Sequence, residues 1–243
     1  VAKKRSIKRK QQEDPQKTLA IRIFLDTGFK DYLAARSLLN SGQPELVLPG
    51  AILASTCVEK HMKAILVVFN RLAPSEHLNK SILNSIKNCD PNLYSSLNES
   101  FLDFLRKIYG LRYPDSVKKG FTVLAVARQI LAELDYTVHT IQTKFSFQQG
   151  DRPLVLSYAA CTDNKHPLLM KDNHVLLGID KTKFIEVETP AYAMLVNTKE
   201  ELLEVTYTIM EVNNGDFMKP GLTEAQQDSG EVSYLFSYEA VKA

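Results

Sequence analysis

The stretch from Pro49 to Phe69 constrains the chain most. It is apolar nearly all round a helix, and its polar residues Thr56, Glu59, Lys60, Lys63 and Asn70 gather on one stripe. A helix of that kind belongs at the centre of a bundle. With Glu59, Lys60, His61 and Lys63 inside it, the stretch is not the uninterrupted apolar run of about 18 residues that a membrane span requires.

The neighbouring segments supply partners for such a helix. Leu25, Phe29, Tyr32, Ala35 and Leu39 recur at three-and-four spacing and run into Ser41-Gly42, where glycine can close a helix. Leu78, Ile82 and Ile86 mark a third helix with Ser75 as its N-cap, and Asp90-Pro91 opens a fourth with the stripe Leu93, Leu97, Phe101, Leu105 and Ile108. Pro114 disfavours helical geometry at Tyr113, so the chain breaks there before Val123, Val126, Ile130, Leu134 and Ile141 define a fifth.

Beyond Phe145 the texture changes. Pro153–Tyr158, His174–Ile179, Phe184–Glu188 and Tyr192–Val196 are short, β-branched or aromatic, and bounded by turn residues, so they read as strands. Leu203–Ile209 alternates well enough for another, although Lys199–Leu202 could open a helix, and Val232–Tyr238 reads as a last one. The expected fold class is α+β: an antiparallel bundle of about five helices over residues 18–144, then a small antiparallel β-rich domain over 145–243.

Charge is local. The net charge is only +2, yet Lys3, Lys4, Arg5, Lys8, Arg9 and Lys10 crowd the first ten residues. A solvated, disordered tail over residues 1–17 is the expectation, with a grip on phosphate backbone or a nuclear address as the alternative. The basic start runs into Gln11-Gln12-Glu13-Asp14-Pro15, which does not read as a secretory signal. Cys57, Cys89 and Cys161 make neither a disulfide framework nor a zinc quartet, and a reducing, cytoplasmic setting is expected.

Several chemistries lack their motifs: there is no Walker A pattern, no phosphate-cradling glycine loop and no nucleophile elbow. Cys57 with His61, and Cys161 with His166 and His174, have no finished metal-ligand spacing. No cofactor is expected. Lys60 and Lys63, three apart on one helical face, could hold phosphate oxygens if the loop carrying Arg112 folds toward them. The plainer alternative pairs Glu59 with Lys63 on a solvated stripe, uses Arg112 to cap carbonyls, and lets Tyr113 close the bundle's end.

Three segments in order carry a family resemblance: Glu59-Lys60-His61-Met62-Lys63-Ala64, His77-Leu78, and Arg112-Tyr113-Pro114. Over roughly residues 26–141 the chain resembles the nucleotide-binding type of HEPN domain, a helical bundle whose members pair with nucleotidyltransferases, bind nucleotides or, in a motif-bearing subset, cleave RNA. The resemblance implies a non-catalytic binding or accessory module for nucleotides, nucleic acid or a nucleotidyltransferase partner, and a homodimer. It implies a nucleotide site made of Lys60, Lys63, His77, Arg112, Tyr113 and Asp115, with Pro114 fixing the loop and Asp115 orienting Arg112 or accepting from a ribose hydroxyl.

The RNA-cleaving subset places an Arg, then four to six arbitrary residues, then a His near the last helix. Arg71 and His77 have five residues between them, but they span the loop after the second helix and enclose Pro74, while Arg128 and His139 are too far apart. An RNA-cleaving toxin of a toxin–antitoxin pair is therefore the rival reading, and a structural or oligomerising protein the third. His77 then serves as a cap or surface residue.

Overall fold

Helix α1 (Pro15–Leu39) and helix α2 (Val47–Val68) lie antiparallel along most of their lengths. Near one end Lys17 donates to the Val68 carbonyl and to Asn70 Oδ1, both at 2.8 Å, and near the other Gly50 faces Leu39. Gly28 sits at a close approach of the two helices, where a Cβ would come within 2.8 Å of the His61 ring. The computed structural model describes residues 14–113, 122–144, 147–149, 152–186, 191–197 and 202–208. Most of the basic tail therefore lies outside the described residues, and Pro15–Lys17 already belong to α1, capped by Asp14.

Helix α2 is central, as its apolar girth requires. Ala51, Ala54, Cys57, Val58, Met62, Ala64 and Ile65 are fully buried. The next helices are α3 (Lys80–Cys89), α4 (Pro91–Ser96) and α5 (Glu99–Ile108), and Ser55 ties α2 to α5 by donating to the Leu105 carbonyl at 2.8 Å. Two local expectations change here. Asn79, not Ser75, caps α3, its Oδ1 accepting from Ile82 N at 2.9 Å. The stripe from Leu93 to Ile108 is two helices, because Leu97 is extended (φ −97°, ψ 153°) and Asn98 starts a new one by accepting from Phe101 N.

The segment expected to be the fifth helix divides as well. Thr122–Val126 is strand β1, rich in β-branched residues, and the helix α6 (Ala127–Lys144) starts only after it. Along α6, Ile130, Leu134, Val138 and Ile141 are fully buried.

The β-rich domain expected over residues 145–243 is not what the described residues form. A short hairpin, β2 (Phe147–Gln149) with β3 (Arg152–Leu154), leads into four short helices: α7 (Ser157–Asp163), α8 (Pro167–Met170), α9 (His174–Leu177) and α10 (Lys181–Glu186). His174–Leu177 and Phe184–Glu186, expected as strands, are helical turns here, since an apolar run of four to six residues has no period of its own to separate the two states. Capping decides the matter at α9. Asn173 Oδ1 accepts from Leu176 N at 3.1 Å, and Gly178, left-handed at φ 65°, closes the turn.

Leu156, Tyr158, Leu169, Phe184 and Ile185 of this region belong to the same buried core as the bundle. Beyond it, β4 (Ala191–Asn197) lies between β1 and β5 (Leu202–Thr208) in a three-stranded antiparallel sheet. The sheet touches α2 and the 3-10 turn at Pro44–Leu46. Its first strand comes from the segment before α6, so it is not an independent unit of the C-terminal hundred residues. Val232–Tyr238 lies outside the described residues.

Candidate functional site

Two of the polar residues of α2 are almost covered. Glu59 and Lys63 are each 7% exposed, so this part of the stripe expected to face solvent is covered, with the segment that leads into α3 bonded to Glu59. Lys63 Nζ donates to Glu59 Oε1 at 2.7 Å, and the other oxygen of Glu59 accepts from His77 Nδ1 and from the Leu78 amide, both at 3.2 Å. A carboxylate this buried requires such partners, and here it receives three.

The contacts continue outward in one direction. Because a carboxylate only accepts, His77 Nδ1 carries the hydrogen toward Glu59, and His77 Nε2 lies 3.0 Å from the Tyr109 hydroxyl. Tyr109 Oη in turn accepts from Arg112 Nη1 at 2.8 Å. The His77 and Tyr109 rings lie 4.2 Å apart between centroids, and the Arg112 guanidinium sits 5.2 Å from the Tyr109 ring and 6.0 Å from that of Tyr113. Tyr109 and Arg112 belong to one short 3-10 helix, Tyr109–Arg112, at the end of α5, which sets their i,i+3 spacing.

Of the six residues expected to form the site, four therefore gather: Lys63, His77, Arg112 and Tyr113. Lys60 does not join them; its Nζ turns to Asp31 Oδ2 on α1, 2.6 Å away. Asp115, like Pro114, lies outside the described residues. Glu59 and Tyr109 are the members that the sequence reading did not single out as site residues, and they are the ones that join α2, the loop and α5. The spacing of Tyr109 and Arg112 was the available signal for the second. Among the described residues Arg112 has no carboxylate within ion-pair distance, while its side chain and that of Tyr113 are exposed. An exposed planar cation beside an exposed aromatic ring can take an anion and a flat group together.

Two further polar groups lie in the core. Arg36 and Asp135 form a fully buried pair joined by Tyr32, whose hydroxyl donates to Asp135 Oδ1 at 2.7 Å. Glu133, also fully buried, accepts at Oε1 from Lys181 Nζ at 2.5 Å and from Asn98 Nδ2 at 3.0 Å. Among the described residues no three His, Cys, Asp or Glu side chains come together to hold a metal, and no helix is long and apolar enough to cross a membrane.

No family model, no curated protein and no solved structure matches the chain.

Proposed function

We propose that this chain is a non-catalytic, intracellular binding module that takes a phosphate-bearing ligand of the nucleotide type at Arg112 and Tyr113. The observation that carries this reading is the preparation of Arg112. Its Nη1 is anchored on Tyr109 and its plane packs near two tyrosine rings, which leaves the rest of the fork directed by rigid neighbours instead of by a free side chain. Tyr113, 57% exposed, supplies the adjoining surface on which a base can stack.

The resemblance of the α2, His77 and Arg112 segments to HEPN domains supports the same reading, with a nucleotidyltransferase or a second copy of the chain as the partner. A dimer does not need α2 for its interface, since α2 is covered within one chain. Leu19 and Ile23, one turn apart on α1 and 55% and 52% exposed, offer the apolar surface instead. The RNA-cleaving alternative is less well served: His77 has both ring nitrogens engaged, one by Glu59 and one by Tyr109, so neither is presented to a scissile phosphate.

Calorimetry with ATP and with a short single-stranded RNA tests the proposal. Loss of one charged hydrogen bond to phosphate costs about 1.5–3 kcal/mol, so Arg112→Ala is expected to weaken binding roughly ten- to a hundredfold. Lys60→Ala is expected to leave it unchanged. Equal binding by wild type and Arg112→Ala, or none by wild type, overturns the reading.

A further inference from the structure

One end of the α1–α2 pair exposes apolar side chains that the core does not take up. Leu19 and Ile23, one turn apart, share the outer face of α1 with Arg22 and Lys30, and all four are exposed. Lys17, two residues before Leu19, donates to the Val68 carbonyl and to Asn70, so the end of α2 lies beside the start of α1. There α2 closes on itself. Asn70 is left-handed at φ 57°, its amide donates to the Val67 carbonyl at 3.0 Å, and the Arg71 amide donates to that of Leu66 at 2.8 Å. Just past this turn Leu72 is 95% exposed, more than any other large apolar side chain among the described residues, and Phe69 just before it is 40% exposed. Apolar side chains grouped at one end are costly in water, and a phase or partner that covers them removes the cost.

The sequence that leads into α1 decides which covering fits. Lys3, Lys4, Arg5, Lys8, Arg9 and Lys10 precede Asp14, the cap of α1, and Glu13 is the one acid among the first thirteen residues. Leu19 follows Lys10 by nine residues. The nearby acids of the helix are engaged: Asp14 Oδ1 accepts from the Gln16 amide at 3.0 Å, and Asp26 accepts from Arg22 at 3.4 Å and from the Ser157 amide at 3.2 Å. A fitting partner therefore offers negative charge and an apolar interior together. Nucleic acid offers the charge alone, because the aliphatic Leu19, Ile23 and Leu72 have no ring to stack on a base. A second copy offers apolar surface alone, and a two-fold contact here would bring two basic segments of like sign to one place. The surface of an anionic bilayer offers both.

We propose that this end of the bundle, with the basic segment Lys3–Lys10 and the side chains of Leu19, Ile23 and Leu72, docks on an anionic lipid surface. The basic residues draw the chain to the headgroups, and the apolar side chains enter the boundary between headgroups and acyl chains. The contact is peripheral, since among the described residues no helix is long and apolar enough to cross a membrane. Stable attachment of this kind takes two signals, and each of these alone is weak. Arg112 has no part in the docking, so the nucleotide reading stands or falls separately.

The test is co-sedimentation of the full chain with vesicles of phosphatidylcholine alone and with vesicles containing about 30% phosphatidylserine. Binding is expected to be at least about tenfold tighter to the second, and to fall at least about tenfold when NaCl is raised to about 0.5 M. The double variant Leu19→Ser, Ile23→Ser is expected to weaken it by about tenfold or more, and Leu72→Ser by about threefold. Leu72 has so little cover that its replacement spares the fold, and it serves as the deciding variant if the α1 variant fails to fold. Replacing Lys3, Lys4 and Arg5 by Gln is expected to remove most of the preference for phosphatidylserine. Absence of that preference in wild type, or binding unchanged in both serine variants, overturns the proposal. So does a chain that ignores vesicles while binding single-stranded RNA through Lys3, Lys4 and Arg5, or one that ignores vesicles and forms a dimer that Leu19→Ser, Ile23→Ser abolishes.

Discussion

Arg36 on α1 and Asp135 on α6, 99 residues apart, are paired with no part of either side chain exposed. The guanidinium does more than neutralise the carboxylate. Its Nε donates to the Leu168 carbonyl at 3.1 Å and its Nη2 to that of Lys171, so one side chain fastens both ends of α8 to the bundle. Asn173 adds a donation to the Tyr32 hydroxyl at 3.1 Å. Burial draws the Arg36 pKa down, but Asp135 and Tyr32 raise it by more, and the group stays charged.

Removing one member of this pair leaves an uncompensated buried charge. Asp135→Leu is expected to destabilise the chain by about 3–5 kcal/mol, and Arg36→Met by a similar amount, whereas the double variant is expected to recover part of the loss. The half-exposed pair Lys60–Asp31 is the control: its removal should cost no more than about 1 kcal/mol. Urea denaturation of the four variants decides it. Costs for the Arg36 and Asp135 variants no larger than that of the control would show that the network contributes little.

His61 makes stability fall in acid. Its ring is fully buried, Nδ1 donating to the Cys57 carbonyl at 2.8 Å and Nε2 accepting from Gln142 at 2.9 Å. Burial is the main cause that lowers its pKa from 6.5 to about 4. Between those values the unfolded chain binds a proton that the folded chain refuses, so folding free energy is lost as pH drops through that window, by up to about 3 kcal/mol. Above pH 6.5 this group contributes no slope. His61→Gln should flatten the profile of stability against pH over the window, and an unchanged slope would place the titrating group elsewhere.

The bundle was legible where a stripe is long. The 22 residues of α2 carry enough turns for their girth to predict a central helix, and the spacing from Leu25 to Leu39 predicts its antiparallel neighbour. It was not legible in short runs. His174–Leu177 and Phe184–Glu186 become helical through a cap, a left-handed glycine and packing on α6, and none of these is a periodicity. At the candidate site, spacing placed Lys60 and Lys63 on one face, but each turns to the carboxylate nearest to it, Asp31 across the interface and Glu59 one turn back. The partner 29 residues away is a tertiary fact with no local trace.

Gly28 tests the close approach of α1 and α2. Alanine is the better helix former by about 1 kcal/mol, so Gly28→Ala would stabilise an isolated helix. Here the new methyl would meet His61 Nδ1 at 2.8 Å and Cε1 at 2.9 Å, and that ring is held on both nitrogens. Overpacking costs about 1–3 kcal/mol, so a net loss of stability is expected. A stabilised variant by thermal unfolding would mean that the ring can move aside.

Tyr109→Phe separates the two halves of the candidate site without changing its charge. The phenol oxygen stands between His77 Nε2, at 3.0 Å, and Arg112 Nη1, at 2.8 Å, and nothing else among the described residues joins them. Phenylalanine keeps the ring that packs on His77 and Arg112, so the fold and the stacking should survive. What is lost is the fixed direction of the guanidinium, worth about 0.5–1.5 kcal/mol for a hydrogen bond of this kind. If Arg112 binds phosphate because it is held in place, ATP affinity should drop roughly two- to tenfold, less than for Arg112→Ala. Arg112→Lys should fail to restore the full affinity, since an ammonium has neither the fork nor the plane. Calorimetry on the three variants separates the cases: a Tyr109→Phe protein that binds like wild type would leave Arg112 acting as charge alone, with no part for the chain of contacts running back to Glu59.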